Sequence, residues 1–550
     1  MAAGPTTDTF PNAGTDRLAE ITRLTGIDPA RALAAAVEAR QAGVTHVLVH
    51  HLVGLDLKQS GAFDAAILEF GEGLKLDPQN ITLTTLVGFC LLELGRRQDA
   101  AQVFEAALKL DPNSAEASYG YGWAAERLGA LEQAQSAWER TVRLAPGHAD
   151  ALAGLSGLAV RRRDWATARD YAERATALDP AQTDALMNLA RVELGLADFE
   201  AAERRLRALI ALPDLRPLAQ ANASLMLGDA LDGQKRYAEA FEAYAEGKGE
   251  LRAQHAQIYE GPGKSSAIDG VRRILSEFEL TPPGAWSRPP RSAVMKGRGA
   301  HAFLLGFPRS GTTLLEQVLA SHPAVVTLEE RPAMLKAEME FLAQRDGVTR
   351  LAGVLGESLE PFREDYWRRV GDFGVDTRDK TFVDKQPLNT FRLPLIFKLF
   401  PEARIIFAVR DPRDVVLSCF RRSFNMNASM YQFNSLEAAA RYYAAIMEAG
   451  AAYMQALPLE VFRIRYEDLV RDFIPTATDL CAFLGVEWNE RMKDFAQTAA
   501  GRRIATPSST QVGRGLYEEG VDQWRHYDVA LKAVTPILAP WIERFGYAPS

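Results

Sequence analysis

The sequence has little cysteine, no surplus of positive charge and no long apolar run. Only Cys90, Cys419 and Cys481 occur among 550 residues. Far apart and odd in number, they exclude a disulfide framework, a cysteine metal cluster and a CxxC redox pair, and they fit a reducing compartment. Lys and Arg total 63 against 71 Asp and Glu, a formal net charge of −8. Such a chain lacks the basic face that non-specific nucleic-acid binding requires, so nucleic acid is not expected as a partner. No stretch approaches the roughly 18 apolar residues of a membrane span. The nearest, residues 44–57, is broken by His46, His50, His51 and Asp56. Residues 1–16 are small and polar, without a basic segment leading into an apolar one, so a cytoplasmic protein that engages no membrane is the expectation. What remains is ordinary for a globular protein, 47% hydrophobic and 24% charged, and long enough for more than one core.

The first half is periodic. Pro78, Pro112, Pro146 and Pro180 are spaced by 34 residues, and Pro213 follows after 33. Ala66, Ala100, Ala134, Ala168 and Ala202 keep the same period, as do the small residues Gly88, Gly122, Ser156, Ala190 and Ser224. Bulky Phe70, Phe104 and Trp138 form a third series, which Ala172 breaks. Paired helices that approach closely need small side chains at the contact and bulky ones to fill the space beside it. Proline ends each second helix, because it cannot donate the helical hydrogen bond. This pattern resembles the tetratricopeptide repeat over residues 44–248, with an extended unit at 213–244. The resemblance implies an all-α solenoid with a groove for a peptide or protein partner, or a surface for self-association. Asn188 and Asn222, 34 residues apart, are candidates for gripping a peptide backbone, against the plainer reading as helix-surface residues.

Composition shifts between residues 250 and 300. Residues 271–280 read as an amphipathic helix, whereas 281–290 (TPPGAWSRPP) and the glycines of 296–299 cannot continue it. The expected organisation is a polar segment and leading helix at 1–43, the repeat solenoid at 44–250, a linker at 251–299 and a second domain at 300–550.

The second half carries chemistry. In AFLLGFPRSGTTLLEQVLA (302–320), the apolar run 303–307 reads as a buried parallel strand and 312–320 as a helix, with a tight loop between them. A loop feeding a helix N-terminus offers free backbone N–H groups and the positive end of the helix dipole. Gly311 lets an anion approach, Arg309 adds a guanidinium fork, and Ser310, Thr312 and Thr313 add hydroxyls. Gly306 and Gly311 have the spacing of the nucleotide-binding P-loop. Thr312, however, stands where that loop has its phosphate-contacting lysine, which argues against an ATPase or GTPase.

PRSGTT (308–313) is similar to the phosphosulfate-binding loop of sulfotransferases, and residues 300–547 most resemble the protein-tyrosine sulfotransferase branch and its bacterial relatives. The resemblance implies an α/β, P-loop-like domain on a parallel sheet. It also implies the donor 3′-phosphoadenosine 5′-phosphosulfate, a hydroxyl acceptor and no metal. ARIIFAVRDPRDVVLSCFRR (403–422) reads as a second buried strand, turn and helix, with Asp411 as N-cap and Pro412 in the first turn. Arg410 and Ser418 converge on one anion; the resemblance makes it the donor's 3′-phosphate and adds Arg422. Arg404, Arg413 and Arg421 read as structural or solvated.

For the transfer step, Glu329 and Glu330 stand together in VVTLEERP (325–332), and paired carboxylates raise one another's proton affinity. By distance from Arg309, Glu330 matches the family's base; Arg331 follows at once where the family has a threonine, so Glu329 stays a competitor. Lys385 in TFVDKQPLN (381–389) resembles the lysine that meets charge on the bridging oxygen. By the same resemblance Ser508, with Ser509 as its alternative, steadies the transferring group. Arg514 and Trp524 would close over the nucleotide, and Tyr466 would contact it. His322 and His526 read as capping and packing residues. The acceptor is expected to be a tyrosine of a peptide or protein held partly by the repeats; a small phenol, glycan or peptide metabolite is the alternative. A P-loop-like kinase or an inactive repeat scaffold is the competing class.

Overall fold

The computed structural model describes residues 13–290, 299–500 and 520–549. They pack as two compact units, Met1–Leu209 and Ile210–Ser550. Among the described residues no helix is long and apolar enough to cross a membrane.

The first unit is a run of helix pairs: Val47–Gln59 with Phe63–Leu76, Ile81–Glu93 with Arg97–Leu110, Ala115–Leu128 with Leu131–Leu144, and Ala149–Arg162 with Trp165–Leu178. Each second helix stops two residues before its proline, at Leu76, Leu110, Leu144 and Leu178. The first helices start on caps: Asn80 accepts from the Leu83 N–H and Ser114 from the Ala117 N–H. The small and bulky series fit together as notch and plug. A Cβ on Gly122 would lie 2.6 Å from Trp138, and one on Gly154 would lie 2.9 Å from the same ring. Phe104 is enclosed in the same way by Gly88 and Gly120. Where Ala172 replaces the plug, Ser156 takes the notch, and its hydroxyl donates to the Ala168 carbonyl at 2.8 Å. Ahead of the repeats stand two helices, Ala13–Thr25 and Pro29–Gln41, where the sequence suggests one. Asp28 caps the second and Pro29 opens it, a break that residue composition hides.

The second unit begins with a long helical hairpin, Pro217–Gly233 and Tyr237–Tyr259, followed by Ala267–Leu280. Packing thus assigns the last repeat-like pair to the same unit as the sheet. Among the described residues five parallel strands follow: β1 (His301–Leu305), β2 (Val325–Glu329), β3 (Thr381–Lys385), β4 (Arg404–Val409) and β5 (Glu460–Arg465). Their order is β2-β3-β1-β4-β5. β1 and β3 are buried along their whole length, as strands covered on both faces must be. The strand β1 ends at Leu305, two residues before the apolar run does. Gly306 turns the chain at φ 154°, and its N–H leaves the ladder for the Pro387 carbonyl. Parallel strands all present their carboxyl ends at one edge, where a ligand crevice forms. Arg309 and Glu330 lie in the segments after β1 and β2, Lys385 is the last residue of β3, and Arg410 and Tyr466 each follow their strand, β4 and β5, by one residue.

Candidate active site

The loop after β1 is tightly tethered. The Gly306 carbonyl accepts the Thr390 hydroxyl at 2.6 Å, and the Ser310 N–H donates to Phe307 O at 3.1 Å. Arg309 sits at φ 71° and Gly311 at φ 91°, left-handed conformations that aim successive backbone groups into a concave turn. Gly311 is the N-cap of the helix Thr312–Ala320, and a Cβ there would meet the Tyr466 ring at 2.7 Å. The side chains of Ser310, Thr312 and Thr313 are buried around this turn. The non-glycine conformation at Arg309 costs of order 1–3 kcal/mol and persists because the surroundings enforce it.

The corner after β4 meets that loop. Arg309 Nε donates to Ser418 Oγ at 2.9 Å, and Arg410 donates to the Arg309 carbonyl at 3.1 Å and to the Gly520 carbonyl. The Arg410 guanidinium lies 4.8 Å from the Tyr466 ring centroid, with the Asp414 carboxylate 3.9 Å away. Among the described residues its buried Nε has no hydrogen-bond partner. Burial drives the Asp414 carboxyl up to about 6, with Arg410 and the Trp524 N–H pulling it back. Asp411 caps the helix Pro412–Arg421, as its position before Pro412 suggests.

The carboxylates meet a lysine. Glu329 and Lys385 are register partners across β2 and β3. Lys385 Nζ lies 2.8 Å from Glu330, 3.5 Å from Glu329 and 3.8 Å from Glu316. Lys385 and Glu316 are fully enclosed, whereas the Glu330 side chain is 37% exposed. Burial works against the Lys385 charge, but Glu330, Glu316 and Glu329 outweigh it and raise its pKa above the ordinary lysine value. Glu330 adopts φ 46°, and its N–H donates to the Lys385 carbonyl at 2.9 Å, which turns the side chain back over the lysine. The adjacent carboxylates therefore do not act on one another alone; a cation lies between them.

Other predicted residues are engaged elsewhere. Arg422 pairs with Asp229 of the hairpin at 2.9 Å. Trp524 is only 3% exposed; Arg413 covers its ring at 3.5 Å and Arg525 approaches at 4.7 Å, so its faces are already occupied. Arg413 and Arg421 are buried, bound to Asp411 and Asp232 respectively. His322 bridges the Glu487 carbonyl and the Ala324 N–H, and His526 stacks on Tyr237. Asn188 is buried, donating to the Ala153 carbonyl, and Asn222 donates to Leu218 of its own helix, so each amide is spent on a helix carbonyl. Ser508, Ser509 and Arg514 lie outside the described residues.

Sequence reading misses Glu316, Asp414, Lys248 and the hairpin acids Asp229 and Asp232. Glu316 leaves a signal: a carboxylate within the apolar helix TTLLEQVLA invites a buried partner. The hairpin acids look like any solvated helix face.

Residues 302–490 match the sulfotransferase family model, and residues 91–134, 129–183 and 187–254 match the tetratricopeptide repeat. An uncharacterized protein of Aquifex aeolicus is 24% identical over 363 residues, 63% of this chain but 45% of its own length. Protein-tyrosine sulfotransferase 1 of Danio rerio is 25% identical over 261 residues, 45% of this chain and 72% of its own. Protein-tyrosine sulfotransferase A of Caenorhabditis elegans is 24% identical over 259 residues, 45% of this chain and 67% of its own. The chain thus joins a tetratricopeptide-repeat region to a sulfotransferase-family domain.

Proposed function

We propose that the chain transfers a sulfuryl group from 3′-phosphoadenosine 5′-phosphosulfate to the hydroxyl of a tyrosine in a peptide or protein. The observation that carries this reading is the 2.8 Å pair of Lys385 and Glu330 on the strand edge that also holds the loop after β1. The residues suit the donor. Arg410 keeps a buried Nε with no partner among the described residues, beside Ser418 and Arg309, an arrangement that fits a phosphate. Thr312 in place of a P-loop lysine disfavours a nucleoside triphosphate.

The bound donor supplies an electrophilic sulfuryl group and a phosphate leaving group. Glu330, the most exposed of the three carboxylates around Lys385, accepts the acceptor's hydroxyl proton. Lys385 holds its ammonium where negative charge develops, and its enclosure makes that interaction stronger than it would be in water. Arg309 and the backbone N–H groups of the loop orient the anion. Ser418 and Arg410 hold the second phosphate, with Tyr466 as the floor under Arg410. Ser508 and Arg514 take the roles that the resemblance implies, whereas Arg422, paired with Asp229, and Trp524, covered by Arg413 and Arg525, are given none. The repeats present the protein acceptor or a partner. A reducing compartment suits Cys90, Cys419 and Cys481, all buried free thiols.

The test is transfer from labelled donor to a panel of tyrosine peptides, small phenols and glycans, beside calorimetry with 3′,5′-bisphosphoadenosine and ATP. The reading expects tyrosine-peptide sulfation and bisphosphate binding that Arg410→Ala abolishes. Tight ATP binding with no response to the bisphosphate overturns it; transfer to phenols or glycans alone overturns the acceptor.

A further inference from the structure

Three carboxylates surround one enclosed ammonium, and they differ in what they can do. Glu330 is open to the crevice and is the one that changes charge if it takes the acceptor's proton. Once neutral, it no longer balances Lys385, 2.8 Å away. An enclosed ammonium left without a counter-charge favours loss of its proton, because burial penalises the charged form. Glu329, 15% exposed and 3.5 Å distant, is partly reached by solvent. Glu316 is not. It projects from the helix Thr312–Ala320, its Oε1 accepts the Thr327 hydroxyl at 2.8 Å, and its Oε2 faces Lys385 Nζ at 3.8 Å. Asp384, next to Lys385 on β3, is occupied by Tyr366 at 2.9 Å, and burial lifts it to about 7. The fixed, unscreened negative charge at the lysine is therefore that of Glu316.

We infer that Glu316 is a positioning residue that keeps Lys385 charged and in place while Glu330 carries the acceptor's proton. The role given to Glu330 rests on the sulfuryl-transfer reading; the coupling of Glu316 to Lys385 does not. Glu316 holds the ammonium from inside the fold, and Thr327 fixes the direction of its carboxylate. Removing the charge lowers the proton affinity of Lys385, so the active protonation state is lost at lower pH.

Two measurements on the full chain test this. In ligand-free protein, urea unfolding of wild type, Glu316→Gln, Lys385→Met and the double variant forms a mutant cycle. Lys385→Met leaves Glu316 as an enclosed carboxylate facing no ammonium, so adding Glu316→Gln to it should recover stability, with a coupling of about tenfold or more in the unfolding constant. In the transfer assay, Glu316→Gln should move the alkaline limb of the kcat profile down by about one pH unit, since a unit charge at this distance shifts a buried group by that order. Glu316→Asp, which retains the charge, should restore much of the limb. At pH values below the shifted limb, affinity for 3′,5′-bisphosphoadenosine should stay within about twofold, because Lys385 is protonated there in both proteins and Glu316 itself does not touch that ligand. Additive stabilities overturn the inference, as does an unmoved alkaline limb. If wild type transfers no sulfuryl group while the cycle still shows coupling, the proposed function fails and the Glu316–Lys385 assignment stands.

Discussion

Lys248 offers a quantitative test of how the hairpin joins the site. It lies on the helix Tyr237–Tyr259 and is 1% exposed. Its ammonium donates to the Arg422 carbonyl at 2.7 Å and to Asn434 Oδ1 at 3.4 Å, 6.0 Å from the Phe424 ring centroid. Both hydrogen-bond partners are neutral, and burial lowers its pKa from 10.5 to about 7. Below pH 7 the lysine is protonated both folded and unfolded, and the folded state carries the whole burial penalty. Between about pH 7 and 10.5 the unfolded chain holds a proton that the folded chain has released, so stability rises with pH. The limiting slope is about 1.4 kcal/mol per pH unit, and the gain between pH 7 and pH 9 is roughly 2 kcal/mol. Lys248→Met keeps the length of the side chain and removes the titration. Urea unfolding monitored by tryptophan fluorescence at pH 6.5 to 9.5, compared between wild type and Lys248→Met, cancels the other titrating groups. The difference should change by roughly 3 kcal/mol over the window, the wild type gaining as pH rises. A flat difference refutes the assignment of Lys248 as a buried group that releases its proton near neutrality.

Two further outcomes are expected. Gly311→Ala forces a Cβ into a φ of 91° and to 2.7 Å from the Tyr466 ring. The conformation alone costs about 1–2 kcal/mol, so calorimetry should show affinity for 3′,5′-bisphosphoadenosine reduced about tenfold or more. Phe104→Ala empties the space between Gly88 and Gly120 in a fully buried position, which should destabilise the repeat unit by about 3–5 kcal/mol in urea unfolding. An effect below about 1 kcal/mol would mean that the neighbouring helices close over the gap.

The sequence by itself determined whatever depends on near neighbours along the chain. Gly122 meets Trp138 16 residues on, so the repeat's notch and plug appear directly in its 34-residue period. The two strand–turn–helix corners were legible for the same reason: Gly311 before Thr312, and Asp411 before Pro412, are local conformational instructions. Tertiary structure alone decided the pairings across long separations. The strand order β2-β3-β1 brings Glu329 into register with Lys385 and lets Glu316 reach the lysine from the helix after β1. Asp229 reaches Arg422 across 193 positions, and Arg413 covers Trp524 across more than a hundred. Local periodicity and turn chemistry specify how a segment folds and which of its faces seeks cover. Which charge waits under that cover is set by the crossovers between strands and by the packing of the hairpin, and neither leaves a pattern in neighbouring residues.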